Sequence, residues 1–179
     1  PGMIVINPCD YNQTKAATIA IAKHFGPVYL RFGRPVVPNF TPENLPFEIG
    51  KGIKMREGKD ITLIATGHLV WESLVAADEL SRLGIDAEVI NIHTIKPLDE
   101  DIVLQSVQKT NKVITCEEHN IFGGLGESIA RLLTTKHPIR QEFIAVNDTF
   151  GESGTPKQLM EKYGLTAKHI VEKAQKMKS

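Results

Sequence analysis

The chain has 179 residues, enough for one domain or for one domain with part of another. Its hydrophobic content of 41% supports a packed core and excludes a disordered chain. Its 21 basic and 21 acidic residues balance to a formal charge of zero, which leaves neither a basic footprint for nucleic acid nor a polybasic membrane patch, and no apolar run reaches the roughly 18–20 residues of a membrane span.

Pro1-Gly2-Met3-Ile4 carries no charged leader region and no initiator methionine at position 1, which predicts a processed or excised chain. Met3–Asn7 reads as a short strand ending at Pro8. Tyr11–Phe25 follows as a helix, with Ala16, Ile19, Ala20 and Lys23 at helical spacings and Asp10 or Asn12 as its cap. Gly26-Pro27 stops it, and Val28–Phe32 reads as a second strand. This is a β-α-β unit with parallel strands, too small to cover both faces of its own sheet. Residues 1–34 are therefore expected to be the end of a domain whose beginning lies elsewhere. Pro35, Pro38, Pro42 and Pro46 then predict an extended linker over 35–49.

From residue 50 to 179 strands and helices alternate. Phe47–Met55 reads as an edge strand and Arg56–Asp60 as a turn. Ile61–Ala65, Ala87–Ile92, Val113–Cys116 and Glu142–Val146 read as buried strands. Helices are expected over Val70–Leu83, after Pro97 and Asp99, around Ser128–Leu133, after the capping box Thr155-Pro156-Lys157-Gln158, and from Thr166 onward. The expected fold class is α/β: a three-layer αβα unit with a mostly parallel five-stranded sheet, one edge strand antiparallel, preceded by the β-α-β remnant.

Candidate chemistry gathers at strand ends. Gly123-Gly124-Leu125-Gly126 follows a strand and opens a helix, as a phosphate cradle would. The pattern is not G-x-G-x-x-G, and Glu127 sets negative charge at the helix start, so a tight packing turn is the stronger reading. Glu117, Glu118 and His119 resemble an acid/base or metal cluster, but neighbours on an extended chain face opposite ways, which favours a hydrogen-bonded structural or interface role. Arg31 and Arg34 stand at and just beyond a parallel strand end. They suit an anionic group, at most one of them on any one ligand; salt bridges at the domain boundary are the alternative. Ser153 has no base beside it in sequence and is not a nucleophile. His24, His68, His93, His137 and His169 are scattered and receive no role. Cys9 and Cys116 have no metal or redox spacing and read as reduced, buried thiols of a cytoplasmic protein.

Taken in order, these pieces resemble the C-terminal section of a transketolase. Pro8-x-Asp10 and Gly26-Pro27-Val28-Tyr29-Leu30-Arg31-Phe32-Gly33-Arg34 are similar to the end of the pyrimidine-binding domain of thiamine-diphosphate enzymes. Thr66-Gly67, Pro97-Leu98-Asp99, Glu117-Glu118-His119 with Gly123-Gly124-x-Gly126, Phe150-Gly151-x-Ser153-Gly154 and Tyr163-Gly164-Leu165 resemble the transketolase C-terminal domain. Deoxyxylulose-phosphate synthases carry R-Y-P-R-G where this chain has Arg31-Phe32-Gly33-Arg34-Pro35, and 2-oxoacid dehydrogenase beta subunits lack the arginine pair. Small and split transketolases are the better match. The resemblance implies transfer of a two-carbon ketol unit between sugar phosphates, with thiamine diphosphate and magnesium. It implies that Arg34, and more weakly Arg31, binds substrate phosphate. It also implies that Glu117, Glu118, His119, Gly123, Gly124 and Gly126 serve packing and assembly. The catalytic glutamate, substrate histidines and diphosphate–metal site of the family have no counterpart in this sequence, so the chain alone is expected to be inactive and to bind no cofactor. Its expected partners are the N-terminal part of the enzyme, or a separate N-terminal subunit, and a second copy in a dimer. A stand-alone protein-interaction module is the alternative of a different class.

Overall fold

β-Branched runs bounded by glycine, proline or asparagine form the strands, and segments of 3.6-residue periodicity form the helices between them. The computed structural model describes residues 1–178. In chain order the elements are β1 (Ile4–Ile6), α1 (Tyr11–Ile21), β2 (Val28–Leu30), β3 (Ile53–Arg56), β4 (Ile61–Ala65), α2 (Leu69–Arg82), β5 (Ala87–Asn91), β6 (Thr94–Lys96), α3 (Glu100–Thr110), β7 (Val113–Asn120), α4 (Leu125–Lys136), β8 (Gln141–Val146), α5 (Pro156–Lys162) and α6 (Ala167–Lys178).

Five strands form one sheet in the order β3-β5-β4-β7-β8. The last four in that order run parallel, and β3 closes one edge antiparallel to β5. Strand alternation feeds two cores. Leu63 and Ala65 of β4, Val89 of β5 and Ile114 of β7 pack with Leu80 of α2 and Ile170 and Ala174 of α6. Ile64 and Ile90 face the other way, onto Val103 and Val107 of α3 and Ile129 and Leu133 of α4. The result is the expected three-layer αβα unit with both sheet faces covered.

The β-α-β unit is also present, with β1 and β2 parallel. Its sheet has a third strand that the sequence did not suggest. β6 pairs antiparallel with β1, giving the order β2-β1-β6. Thr94-Ile95-Lys96 carries a single apolar residue between two polar ones, so only tertiary pairing reveals it. Asn7 extends the junction. Its amide donates to the His93 carbonyl at 2.8 Å, and its carbonyl accepts from the Gly67 amide at 3.3 Å.

Four local expectations need correction. The helix expected over Tyr11–Phe25 ends at Ile21, and its buried side chains are Asn12, Gln13 and Ala17, while Ile19 is 51% exposed. Gln13 Oε1 accepts from the Cys9 amide at 2.9 Å and from Asn91 Nδ2 at 3.1 Å, and Asn12 Nδ2 donates to the Thr41 carbonyl at 2.6 Å. Hydrogen bonding lets a polar face go inward. The edge strand shrinks to β3, because Gly50 (φ +89°) turns the chain and the Gly52 amide is taken by the Asp99 carboxylate at 3.0 Å. β7 runs on past Cys116 to Asn120, since Asn120 still pairs with Val146 of β8 across a register irregularity. Between β5 and α3, where no element is expected from the sequence, the chain forms β6.

Residues 35–49 hold no helix or strand. They are fastened by Asp10, whose carboxylate caps α1 at the Gln13 amide (2.9 Å) and accepts from the amides of Phe40 (2.9 Å) and Thr41 (2.6 Å).

Candidate functional site

The end of β7 sends its two glutamates to opposite sides, as the pleat requires. Glu117 is 2% exposed and turns toward α4. Its carboxylate accepts from the amides of Leu125 and Gly126, both at 2.7 Å. Burial pushes its carboxyl above the usual range while these two amides pull it down. The helix-start amides that a phosphate would use are thus held by the chain's own carboxylate. A second carboxylate, Glu127, accepts from the Gly123 amide at 2.8 Å. The glycines answer to packing. A Cβ on Gly124 would strike the Glu117 carboxylate, one on Gly126 would come within 2.6 Å of the Phe143 ring, and Gly123 has φ +77°.

Glu118 turns the other way. Its Oε2 lies 3.0 Å from His68 Nδ1, and its backbone carbonyl accepts from the Arg31 guanidinium at 2.6 Å. The His68 hydrogen bond, against the opposing effect of burial, holds the Glu118 carboxyl below the usual range. His119 Nδ1 meets the neighbouring Asn120 carbonyl at 2.8 Å. The acid–acid–histidine run does not converge on one point, and no group of three metal-ligating side chains occurs among the described residues.

The two arginines separate. β2 carries the chain to Arg31, whose amide still donates to the Ile6 carbonyl at 2.8 Å. Arg31 lines a cleft of about 510 Å³ that also receives Lys96 of β6, Glu117, His119 and Arg131 of α4. Arg34 lines a second cleft of about 580 Å³ with His68, Trp71, Lys157 and Tyr163. Of the residues at both mouths, only Glu118 is shared. Arg34 is exposed and makes no ion pair among the described residues, so the salt-bridge alternative does not hold for it.

Sequence reasoning gave His68 no role, yet it stands three residues past the end of β4, at the start of α2, where strand-end logic could have found it. Lys96 was missed because β6 was invisible, and Arg131, on a helix the sequence does predict, reaches this cleft only through the tertiary packing of α4. Among the other histidines, His93 is buried against Phe47 with ring centroids 4.2 Å apart, and burial lowers it from 6.5 to about 4. Both thiols are free and buried, and burial pushes Cys116 up to about 12.

Residues 50–170 match the family described as "Transketolase, C-terminal domain". The 6-deoxy-6-sulfo-D-fructose transketolase subunit of Clostridium sp. strain MSTE9 is 47% identical over 97% of this chain and 54% of its own length. The 1-deoxy-D-xylulose-5-phosphate synthase of Desulforudis audaxviator is 35% identical over 99% of this chain and 29% of its own. A solved structure described as "Split gene transketolase, inactive beta4 tetramer" is 40% identical and superposes with a TM-score of 0.92, over 98% of this chain and 57% of that one. The chain therefore spans about half the length of the transketolase subunit it matches, and less of the synthase. With both the fold and the ordered motifs in agreement, the chain belongs to the transketolase family and carries its C-terminal domain over residues 50–170.

Proposed function

We propose that this chain is the C-terminal section of a transketolase. Joined to an N-terminal section or subunit, it transfers a two-carbon ketol unit between sugar phosphates, and by itself it is inactive. The observation that carries this reading is Arg34: a planar cationic fork just past a parallel strand end, free of any ion pair among the described residues, at the mouth of a cleft. Arg31 is the weaker phosphate residue, since its guanidinium already donates to Glu118. The division into a pyrimidine-domain remnant over 1–34, a linker over 35–49 and a C-terminal domain over 50–179 belongs to the same reading.

The family uses thiamine diphosphate, which supplies the carbanion chemistry when bound. The residues of this chain do not fit that cofactor. Its glycine-rich turn before α4 is filled by Glu117, so a diphosphate there would have to displace a buried carboxylate. We assign the cofactor and its magnesium to the partner section. The roles of Glu117, Glu118, His119, Gly123, Gly124 and Gly126 are packing and assembly. The solved relative, an inactive beta4 tetramer of a split-gene transketolase, supports inactivity alone and self-association for this chain as a homo-oligomer. The name of the sulfosugar relative supports a second reading of the anion, because a sulfonate offers the same tetrahedral oxygens to an arginine as a phosphate does. Free thiols and the absence of a long apolar helix among the described residues are compatible with a cytoplasmic enzyme.

The test has two parts. Titration of this chain with thiamine diphosphate and magnesium should show no heat of binding, and ketol transfer should arise only on adding the N-terminal section. Micromolar cofactor binding by the chain alone would overturn the assignment. In the assembled enzyme Arg34→Ala should raise KM for phosphorylated acceptors by an amount worth roughly 1.5–3 kcal/mol and spare uncharged acceptors. A parallel series with a sulfonated sugar decides which anion is preferred.

A further inference from the structure

Arg34 makes no ion pair among the described residues, yet the turn that carries it is gripped from the other sheet at two points. The turn is Arg31-Phe32-Gly33-Arg34, and both points belong to Glu118. Through its backbone carbonyl Glu118 accepts from the Arg31 guanidinium at 2.6 Å, which fixes the start of the turn. Through its carboxylate it holds His68 Nδ1 at 3.0 Å. The His68 ring lies against the residue just before Arg34: the three atoms that a Cβ on Gly33 would strike first all belong to that imidazole. The His68 side chain is only 12% exposed, so the ring has little freedom to move away. Gly33 has no positive φ, so its requirement for glycine comes from this ring and not from backbone strain.

We propose that Glu118 and His68 are positioning residues that hold the Arg31–Arg34 turn so that the Arg34 guanidinium is aimed at the anionic end of the sugar. This rests on the reading of Arg34 as the phosphate residue. His68 is a wall for Gly33, Glu118 orients that wall, and Arg31 anchors the strand end beneath it. His68 and Glu118 line the same cleft as Arg34, where their role is positioning and not a direct hold on the anion. They act through Arg34, much as ligands of any preorganised site are held by outer groups. Residues 50–179 thereby take part in substrate recognition, although Arg34 itself lies outside them.

The experiment uses the assembled enzyme and compares KM for a phosphorylated aldose with KM for its uncharged analogue. Glu118→Ala and His68→Ala should raise the first on the order of tenfold and change the second less than about twofold. His68→Asn, whose amide nitrogen can stand in for Nδ1 toward Glu118 but which lacks the Cε1 and Nε2 atoms nearest Gly33, should recover little of the loss. In an Arg34→Ala background, Glu118→Ala should add little, because the group it aims is gone. Equal effects on both acceptors, no effect on either, or a full further rise in the Arg34→Ala background would overturn the positioning role. If Arg34→Ala itself fails to discriminate between acceptors, the phosphate reading falls instead, and the two failures are told apart by that one variant. Glu118 is exposed, so its truncation leaves both cores intact and keeps the comparison readable.

Discussion

Single side chains settle most of the polar architecture. Glu117 serves two buried amides at once, one with each carboxylate oxygen. Glu117→Ala leaves both without a partner and should cost about 1–3 kcal/mol in urea unfolding, with Glu117→Gln recovering at most half, because its amide offers one acceptor and one misplaced donor. Wild-type stability in both variants would show that the carboxylate is dispensable. His93 sets a pH dependence. Its folded value lies near 4 against an ordinary 6.5, so between those values the unfolded chain binds a proton that the folded chain refuses. Stability should therefore fall by about 3 kcal/mol as pH drops through that window, and His93→Phe, which keeps the stack on Phe47, should remove this part of the slope. Melting curves from pH 7 to pH 4 on both proteins measure it.

At the level of elements, caps and turns mattered more than propensity. Asp99, Thr155 and Gly84 do at α3, α5 and the end of α2 what their residue types suggest. Asp10 does more. It caps α1 and also takes the amides of Phe40 and Thr41 and the Thr41 hydroxyl at 2.7 Å, so one carboxylate ties a helix start to the proline-rich segment. Asp10→Ala should destabilise the chain by roughly 2–4 kcal/mol and speed proteolytic cleavage within residues 35–49, whereas loss of the cap alone would cost about 1 kcal/mol and leave that segment protected. Limited proteolysis followed by mass spectrometry separates these outcomes. α1 also shows where periodicity misleads. Its apolar residues sit at helical spacings, but Gln13 and Asn12 reach hydrogen-bond partners on other elements and Ile19 does not reach a core.

For the whole molecule, β6 is the decisive piece. It follows β5 of the five-stranded sheet and pairs with β1 of the other, so the two sheets are joined through backbone hydrogen bonds as well as through Asn7 and Arg31. The β-α-β unit is too small to hold a fold alone. Calorimetry should accordingly show one cooperative transition for the chain, with both sheets melting together. Two resolved transitions would mean that the first 34 residues unfold independently. The alternation of buried strands and helices, the parallel order of the large sheet with its antiparallel edge, and the capped helix starts were legible in the sequence, because each rests on local spacing or on one residue's chemistry. The opposite facing of Glu117 and Glu118 was legible too, from the pleat. The filling of the glycine turn by Glu117, the grip of Glu118 and His68 on the arginine turn, and the separation of Arg31 from Arg34 into two clefts came only with the tertiary structure. The first two join residues from 8 to 87 positions apart, and which strand ends meet depends on how two sheets dock, a choice that no local period encodes.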